Sequence, residues 1–304
     1  MLVSNIAVLP PWIVIDPLLH SWLLEDIGRG DRTTGSLFSG KVSIGRAEWT
    51  AKQAGVVAGL LIAARVFRLV GNCDNVNDYH SPISFVPVVA EGESCHAGQV
   101  IARLHGPVDA LLIGERVALN IAMRLSGITT LTRKYVEKIA DLPTQLVDTR
   151  KTTPGLRLLE KYACQLGGAI NHRLGLDDAV MIKDNHIAAA GGIGEAIARI
   201  RAKIPYPLSI EVETTRLPEV EAALKHGADI IMLDNMSVDL MRQAVQLIRS
   251  HHPQVKIEAS GNITLETLRT VAETGVDFIS SSAPVTRSTW LDISMTLDNS
   301  SLDV

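Results

Sequence analysis

HGADIIMLDN at residues 226–235 and TGVDFISSSA at residues 274–283 share one phrase: a glycine, an aspartate two residues later, then a short apolar run that ends in polar side chains. A run of that length between turn residues is the pattern of a strand buried on both faces. Similar runs stand at 145–148, 179–183, 208–212 and 256–259, and helical patterns such as 217–226 and 265–273 lie between them. Short apolar strands alternating with helices make βα units on a parallel sheet. The C-terminal half therefore predicts a compact, incomplete parallel barrel.

Outward from this block the pattern changes. Residues 109–140 carry apolar positions three and four apart through Leu111, Leu112, Val117, Leu119, Ile121 and Met123, and predict a long connecting helix. Gly127, Thr129 and Thr130 are expected to interrupt it. Before it come strand-like runs at 43–52 and 83–89, a helix near 62–70, and a turn-rich β element at 91–106. Residues 16–27 predict a short amphipathic helix, and EDIGRGDRTT at 25–34 a loop. The expected fold class is α/β: an N-terminal α/β sandwich domain followed by an open (incomplete) α/β barrel.

Composition narrows the function. The chain has 304 residues, 46% hydrophobic and 20% charged, which excludes disorder. Aromatic residues are 4%, so the core is built from Ala, Val, Ile and Leu. A net charge of −4 excludes a generally basic nucleic-acid binder, so any attraction for anions is local. Cys73, Cys95 and Cys164 are odd in number and far apart, which argues against a disulfide framework or a structural zinc site and fits a reducing cytoplasm. Pro10, Pro11, Asp16 and Pro17 break the apolar N-terminus, which reads as neither signal peptide nor membrane span. No run approaches the roughly 18 apolar residues a bilayer span needs.

In parallel barrels the site forms where strands end. The expected strand ends offer Asp148, Thr149, Arg150, Lys151, Thr152 and Thr153, then Lys183, Asp184, Asn185 and His186. Asn171, His172 and Arg173 stand in the turn between those two strands. Later strands bring Glu211 and Glu213, then Asp234 and Asn235, then Glu258, Ser260, Gly261 and Asn262, then Ser280 to Pro284. From Arg116 to Lys183 there are 11 Lys/Arg against 6 Asp/Glu. A basic half facing an acidic half points to a polyanion on one side and a metal or hydroxyls on the other. The serine and glycine residues after the last two strands stand where barrels often hold phosphate.

Several charges have plainer readings. Arg157 and Lys161 are expected on a solvated helix face, and His251 and His252 in an exposed turn before Pro253. Lys183 differs, because a lysine in an apolar strand is costly to bury unless paired. Glu211 and Glu213 point the same way on a strand, and one of them is open to a buried supporting role.

DTRKTTPGLRLLEKYA at 148–163, GGAINHRLGLDDAVMIKDNHI at 167–187, IEVET at 210–214, IMLDN at 231–235 and EASGNI at 258–263 resemble the quinolinate phosphoribosyltransferase family. The likeness runs from EDIGRGDRTT to the last barrel strand. It implies transfer of phosphoribosyl from phosphoribosyl pyrophosphate to quinolinate, giving nicotinate mononucleotide, pyrophosphate and CO₂ for NAD biosynthesis, with Mg²⁺. It also implies an N-terminal α/β domain over 1–119, joined by the C-terminal tail 288–304, and an α/β-barrel domain over 120–287. By the same resemblance the protein is cytoplasmic, binds neither nucleic acid nor membrane, and is a homodimer or a multiple of dimers.

Carried over by motif, Arg150, His172, Arg173 and Lys183, with Thr149 nearby, resemble the quinolinate-binding group. Arg116 in GERVALN corresponds to the arginine that crosses to the neighbour's site. Lys151 would hold phosphoribosyl pyrophosphate, Glu213 and Asp234 would contact ribose hydroxyls or Mg²⁺, and Ser260, Gly261, Asn262 and Ser282 would cradle the 5′-phosphate. The family commonly has glycine where this chain has Asn262 and Ser282; asparagine tolerates the left-handed conformation, and serine adds a donor.

Two adjacent carboxylates need several fixed cations, which Arg150, Arg173, Lys183 and Arg116 supply, with His172 expected to donate a hydrogen bond to one carboxylate. Three rivals stay open on residues alone. They are a same-fold phosphoribosyltransferase for another anion, an aldolase with Lys183 as Schiff base, and a non-catalytic anion sensor.

Overall fold

The computed structural model describes residues 7–38, 43–71 and 83–298. Cys73 lies outside the described residues, as does the end of the C-terminal tail; Cys95 and Cys164 are buried free thiols. Two compact units emerge, one drawn from Ile6–Leu131, Leu158–Gly167 and Ser288–Val304, the other from Thr132–Arg157 and Gly168–Arg287.

In the first unit, helices α1 (Trp12–Ile27) and α2 (Arg32–Leu37) precede strands β1 (Ile44–Ala51) and β2 (Gly55–Val56). Helix α3 (Leu60–Gly71), strands β3 (Ser84–Pro87), β4 (Ser94–Cys95) and β5 (Val100–Pro107), and helix α4 (Val108–Lys138) follow. β1 pairs antiparallel with β5, and β5 with β3. Along β1 every second side chain is buried, so Ala47, Trp49 and Ala51 face the core. Trp49 meets Phe67 of α3 and Phe85 of β3 edge-on, at 6.1 and 5.2 Å between ring centres.

Three local expectations are corrected here. α1 begins at Trp12, ahead of the predicted start, and tolerates Pro17 inside it. The expected loop at 25–34 ends in a new helix, because Asp31 accepts from the backbone N–H groups of Thr33 and Thr34 and caps α2. α4 runs unbroken through Gly127, Thr129 and Thr130. Those residues serve packing: a Cβ on Gly127 would overlap the Thr289 carbonyl oxygen, Thr129 Oγ1 donates to the Ala163 carbonyl at 2.9 Å, and Thr130 Oγ1 donates to that of Ser126 at 2.7 Å.

The second unit holds β6 (Gln145–Val147), β7 (Val180–Ile182), β8 (Ile210–Thr214), β9 (Ile230–Asp234), β10 (Lys256–Ser260) and β11 (Phe278–Ser280). Helix α5 (Arg157–Leu166) follows β6, and its buried stretch belongs to the first unit. Helices α6 (Asp184–Ala190) to α11 (Ala283–Thr286) fill the later connections, including α9 (Val238–His251) between β9 and β10. The sheet order is β6-β11-β10-β9-β8-β7, every neighbouring pair parallel. β6 and β7 are consecutive in the chain yet stand at opposite edges, so the described strands make an open sheet, as an incomplete barrel requires. β12 (Ile293–Leu297) returns to the first unit and pairs antiparallel with β1.

The strand pleat sorts the second unit. Ile210 and Val212, Ile231 and Leu233, Ile257 and Ala259, and Ile279 are fully buried on one face. Glu211 and Glu213, Met232 and Asp234, Glu258 and Ser260, and Ser280 occupy the alternate positions. Register aligns Glu213 with Met232, Met232 with Glu258, and Asp234 with Ser260. The polar residues of one face therefore converge instead of scattering.

α5 overturns another expectation. Lys161 is 1% exposed and Glu160 fully buried, with Arg124 Nη2 on the Glu160 carboxylate at 2.7 Å. A helix covered on its charged side can keep such residues only when they are paired. Arg157 donates to Thr152 Oγ1 and to the Leu174 carbonyl, so it too is committed to protein partners.

Candidate active site

The converging face lines a cavity of about 450 Å³ in the second unit. Eleven of the thirteen predicted site residues line it: Thr149, Arg150, Lys151, His172, Arg173, Lys183, Glu213, Asp234, Ser260, Gly261 and Asn262. Ser282 does not; it begins α11 in a helical conformation, and Ser280, on the pleat, lines the wall instead. Arg116 belongs to the first unit, on α4, with a side chain 60% exposed and Glu115 as its nearest acid at 3.9 Å.

Arg150 and Arg173 set the charge of one wall. Burial, and then the neighbouring positive charge of Arg150, push the Arg173 pKa downward. Arg173 Nη1 donates to the Ala179 carbonyl at 3.0 Å, which holds the guanidinium beside its like-charged neighbour. Lys183, one residue beyond β7, places Nζ 2.7 Å from Glu213 Oε2. That pairing holds the Lys183 side chain in the cavity beside the Glu213 carboxylate. Thr149 Oγ1 accepts from the Lys151 N–H at 3.0 Å and shapes the turn between Arg150 and the next helix.

Below this wall lies a cluster that sequence reading left incomplete. His172 Nε2 is 3.1 Å from Glu211 Oε2 and 3.6 Å from Glu258 Oε2. Burial, and then the Glu211 carboxylate, push Glu258 up to about 7, with His172 opposing. These three residues have ligand atoms within 4.8 Å of one another, a spacing that a metal could bridge. However, His172 Nδ1 accepts the Arg173 backbone N–H at 2.7 Å, so the ring proton sits on Nε2, facing the carboxylates. That nitrogen has no lone pair for a metal, and the cluster is a hydrogen-bonded one. His172 also lines the cavity, with Nε2 toward the Glu211 and Glu258 carboxylates.

Glu213 and Asp234 are a better match for Mg²⁺, which takes carboxylate oxygens and retains water. Both line the cavity, and among the described residues one oxygen of each is engaged: Lys183 on Glu213 Oε2, and the Asn235 amide on Asp234 Oδ2 at 2.8 Å. The donor set fits a hard divalent cation.

The quinolinate phosphoribosyl transferase N-terminal domain pattern matches residues 31–126, and the C-terminal domain pattern matches residues 128–296. The chain belongs to the quinolinate phosphoribosyltransferase family. It is 57% identical to a probable nicotinate-nucleotide pyrophosphorylase [carboxylating] of Synechocystis over 97% of each chain. Its likeness to the probable enzyme of that name in Bacillus subtilis is 46%, over 94% of this chain and 95% of the relative. Among solved structures, NadC from Streptococcus pyogenes superposes with a TM-score of 0.86 at 40% identity, covering 95% of this chain and 98% of that one. The nicotinate-nucleotide pyrophosphorylase of Francisella tularensis gives 0.86 at 34% identity, covering 97% and 99%.

Met181, Met232, Asn235, Glu258 and Ser280 also line the cavity of this family member and were absent from the predicted set. The signal that finds four of them is parity: Met181, Met232, Glu258 and Ser280 share the pleat face of the strand-end residues, mostly two positions earlier.

Proposed function

We propose that this protein transfers the phosphoribosyl group of phosphoribosyl pyrophosphate to the ring nitrogen of quinolinate and releases the adjacent carboxylate as CO₂. The products are nicotinate mononucleotide and pyrophosphate. The observation that carries this reading is the gathering of Arg150, Arg173 and Lys183 around one cavity. Like charges held together are unfavourable until a ligand of opposite charge arrives, and a pyridine diacid brings two carboxylates.

Arg150, Arg173 and Lys183 bind the two carboxylates and orient the ring nitrogen toward the anomeric carbon. Met181 and Met232 offer the ring an apolar surface. The C–O bond to pyrophosphate breaks as the C–N bond forms, and positive charge develops on the ribose. Glu213 and Asp234 lie on the side that stabilises it, and Lys151 neutralises the leaving pyrophosphate. Mg²⁺, held by Glu213 and Asp234, would supply further neutralisation of the pyrophosphate oxygens. The adjacent C–C bond then breaks with its electron pair left on the ring carbon, where the positive charge of the quaternary nitrogen stabilises the carbanion, and a proton added at that carbon replaces CO₂. Holding both reactants in register contributes roughly 7–11 kcal/mol in well-oriented systems.

The same reading gives Ser260, Gly261 and Asn262 to the 5′-phosphate, and makes the enzyme a cytoplasmic homodimer, or a multiple of dimers, in which Arg116 completes the neighbour's site. Among the described residues no helix is long and apolar enough to cross a membrane. The test is incubation of the purified protein with quinolinate, phosphoribosyl pyrophosphate and Mg²⁺. Equimolar CO₂ and nicotinate mononucleotide are expected. Binding of quinolinate without either product would leave only the anion-sensor rival.

A further inference from the structure

Among the described residues, Asn235 (φ 52°) and Asn262 (φ 51°) are the two non-glycine residues with positive φ. Such backbone is disfavoured for side chains with a Cβ and collects at functional loops. Both asparagines line the cavity, one residue after β9 and two residues after β10. They are also joined: Asn262 Nδ2 donates to Asn235 Oδ1 at 3.1 Å, and Asn235 Nδ2 donates to Asp234 Oδ2 at 2.8 Å. The Asn235 N–H donates to the Ser260 carbonyl at 2.9 Å, which ties the two loops at the backbone.

The direction of this chain follows from chemistry. An ionised carboxylate only accepts, so Asn235 must turn its NH₂ toward Asp234 and its carbonyl oxygen toward Asn262. Asn262 must then present its own NH₂. Gly261 leaves the room this needs, since a Cβ there would overlap the Asn235 amide. Asn235 and Asn262 are exposed, so these bonds add little to stability and do not by themselves explain two left-handed asparagines.

We propose that Asn262 is a positioning residue that acts through Asn235 to fix the Asp234 carboxylate, committing Oδ2 to protein and turning Oδ1 toward the ribose hydroxyls of the phosphoribosyl substrate. This rests on the assignment of Asp234 to the ribose under the proposed function and deepens it. The relay separates the side chain's task from the backbone's: the loop holds phosphate, while the amide aims a carboxylate two residues away in a hydrogen-bonded path.

The experiment measures binding of ribose 5-phosphate and of inorganic phosphate by calorimetry, to wild type, Asn262→Gly, Asn235→Gly and the double variant. Glycine accepts the left-handed backbone at both positions, so folding is retained. Asn262→Gly is expected to weaken ribose 5-phosphate about three- to tenfold, the effect of one lost hydrogen bond. Inorganic phosphate affinity, which the loop backbone supplies, is expected to fall by less, and Asn262→Gly adds nothing in the Asn235→Gly background. Equal weakening of both ligands, no weakening, or additive effects would overturn the relay while leaving the pocket's assignment standing. Failure of wild type to bind ribose 5-phosphate would overturn both.

Discussion

The backbone N–H of Arg173 donates to Nδ1 of His172 at 2.7 Å, so the residue proposed to bind substrate also sets the tautomer of the neighbouring imidazole. The His172 N–H in turn donates to Asp148 Oδ1 at 2.9 Å, anchoring the turn to the end of β6. His172 therefore spaces and orients cationic groups, with Glu211 and Glu258 as its own support.

That support has a pH signature. Glu258 is pushed from the usual carboxyl range near 4.5 up to about 7, mainly by burial. Between those values the folded state binds more protons than the unfolded one, so this group's contribution makes stability fall as pH rises through the window. Glu258→Gln removes the penalty. Chemical denaturation at pH 8 should find the variant more stable than wild type by about 1–3 kcal/mol, with the difference gone below pH 4.5. A difference independent of pH would contradict the assignment.

Arg173→Ala and Lys183→Ala should each reduce kcat/KM for quinolinate by on the order of 10²-fold or more. The Lys183 side chain is 43% exposed and its partner Glu213 is 16% exposed, so the ion pair contributes little to the fold. Melting temperature should move by only a few degrees. Near-wild-type turnover in either variant would remove that residue from the site.

Arg116 is predicted to work in trans. Its exposed side chain makes only a 3.9 Å contact with Glu115, so Arg116→Ala should fold normally and be inactive. Subunits carrying Arg116→Ala, mixed and exchanged with Lys183→Ala subunits, should recover part of the activity, because one site in each heterodimer is intact. Exchanged heterodimers without activity would show that Arg116 serves no neighbour.

Gly127→Ala tests the close approach that sequence reading mistook for a helix break. A methyl there meets the Thr289 carbonyl oxygen, and the cost should be roughly 1–3 kcal/mol in urea denaturation. A neutral substitution would mean that the returning chain yields easily.

The strands of the barrel unit were legible because each is a short apolar run closed by polar residues, and that is what a parallel strand with a site at its end must be. Strand-end residues such as Lys183, Glu213 and Asp234 were found for the same reason. Deeper residues were not: Met181 and Met232 lie within apolar runs and reveal themselves only when the pleat is counted, and Glu258, though noted at a strand end, carried no sign of its pairing with His172 and Glu211. The misreadings share another cause. Gly127, Thr129 and Lys161 look like breaks or solvated charges in isolation, but each is decided by what packs on it, and that neighbour is distant in sequence. Asn235 and Asn262 carried a local hint, because asparagine after a strand tolerates positive φ, but their hydrogen bond joins two loops 27 residues apart.

The central claim is that fixed cations select a pyridine bearing two carboxylates. Its most direct test compares pyrophosphate release from phosphoribosyl pyrophosphate with quinolinate and with nicotinate as acceptor, at equal concentration. The cluster of Arg150, Arg173 and Lys183 predicts turnover with quinolinate and at least about 100-fold less with nicotinate, which leaves part of the cluster unpaired. Equal rates with the two acids would contradict it.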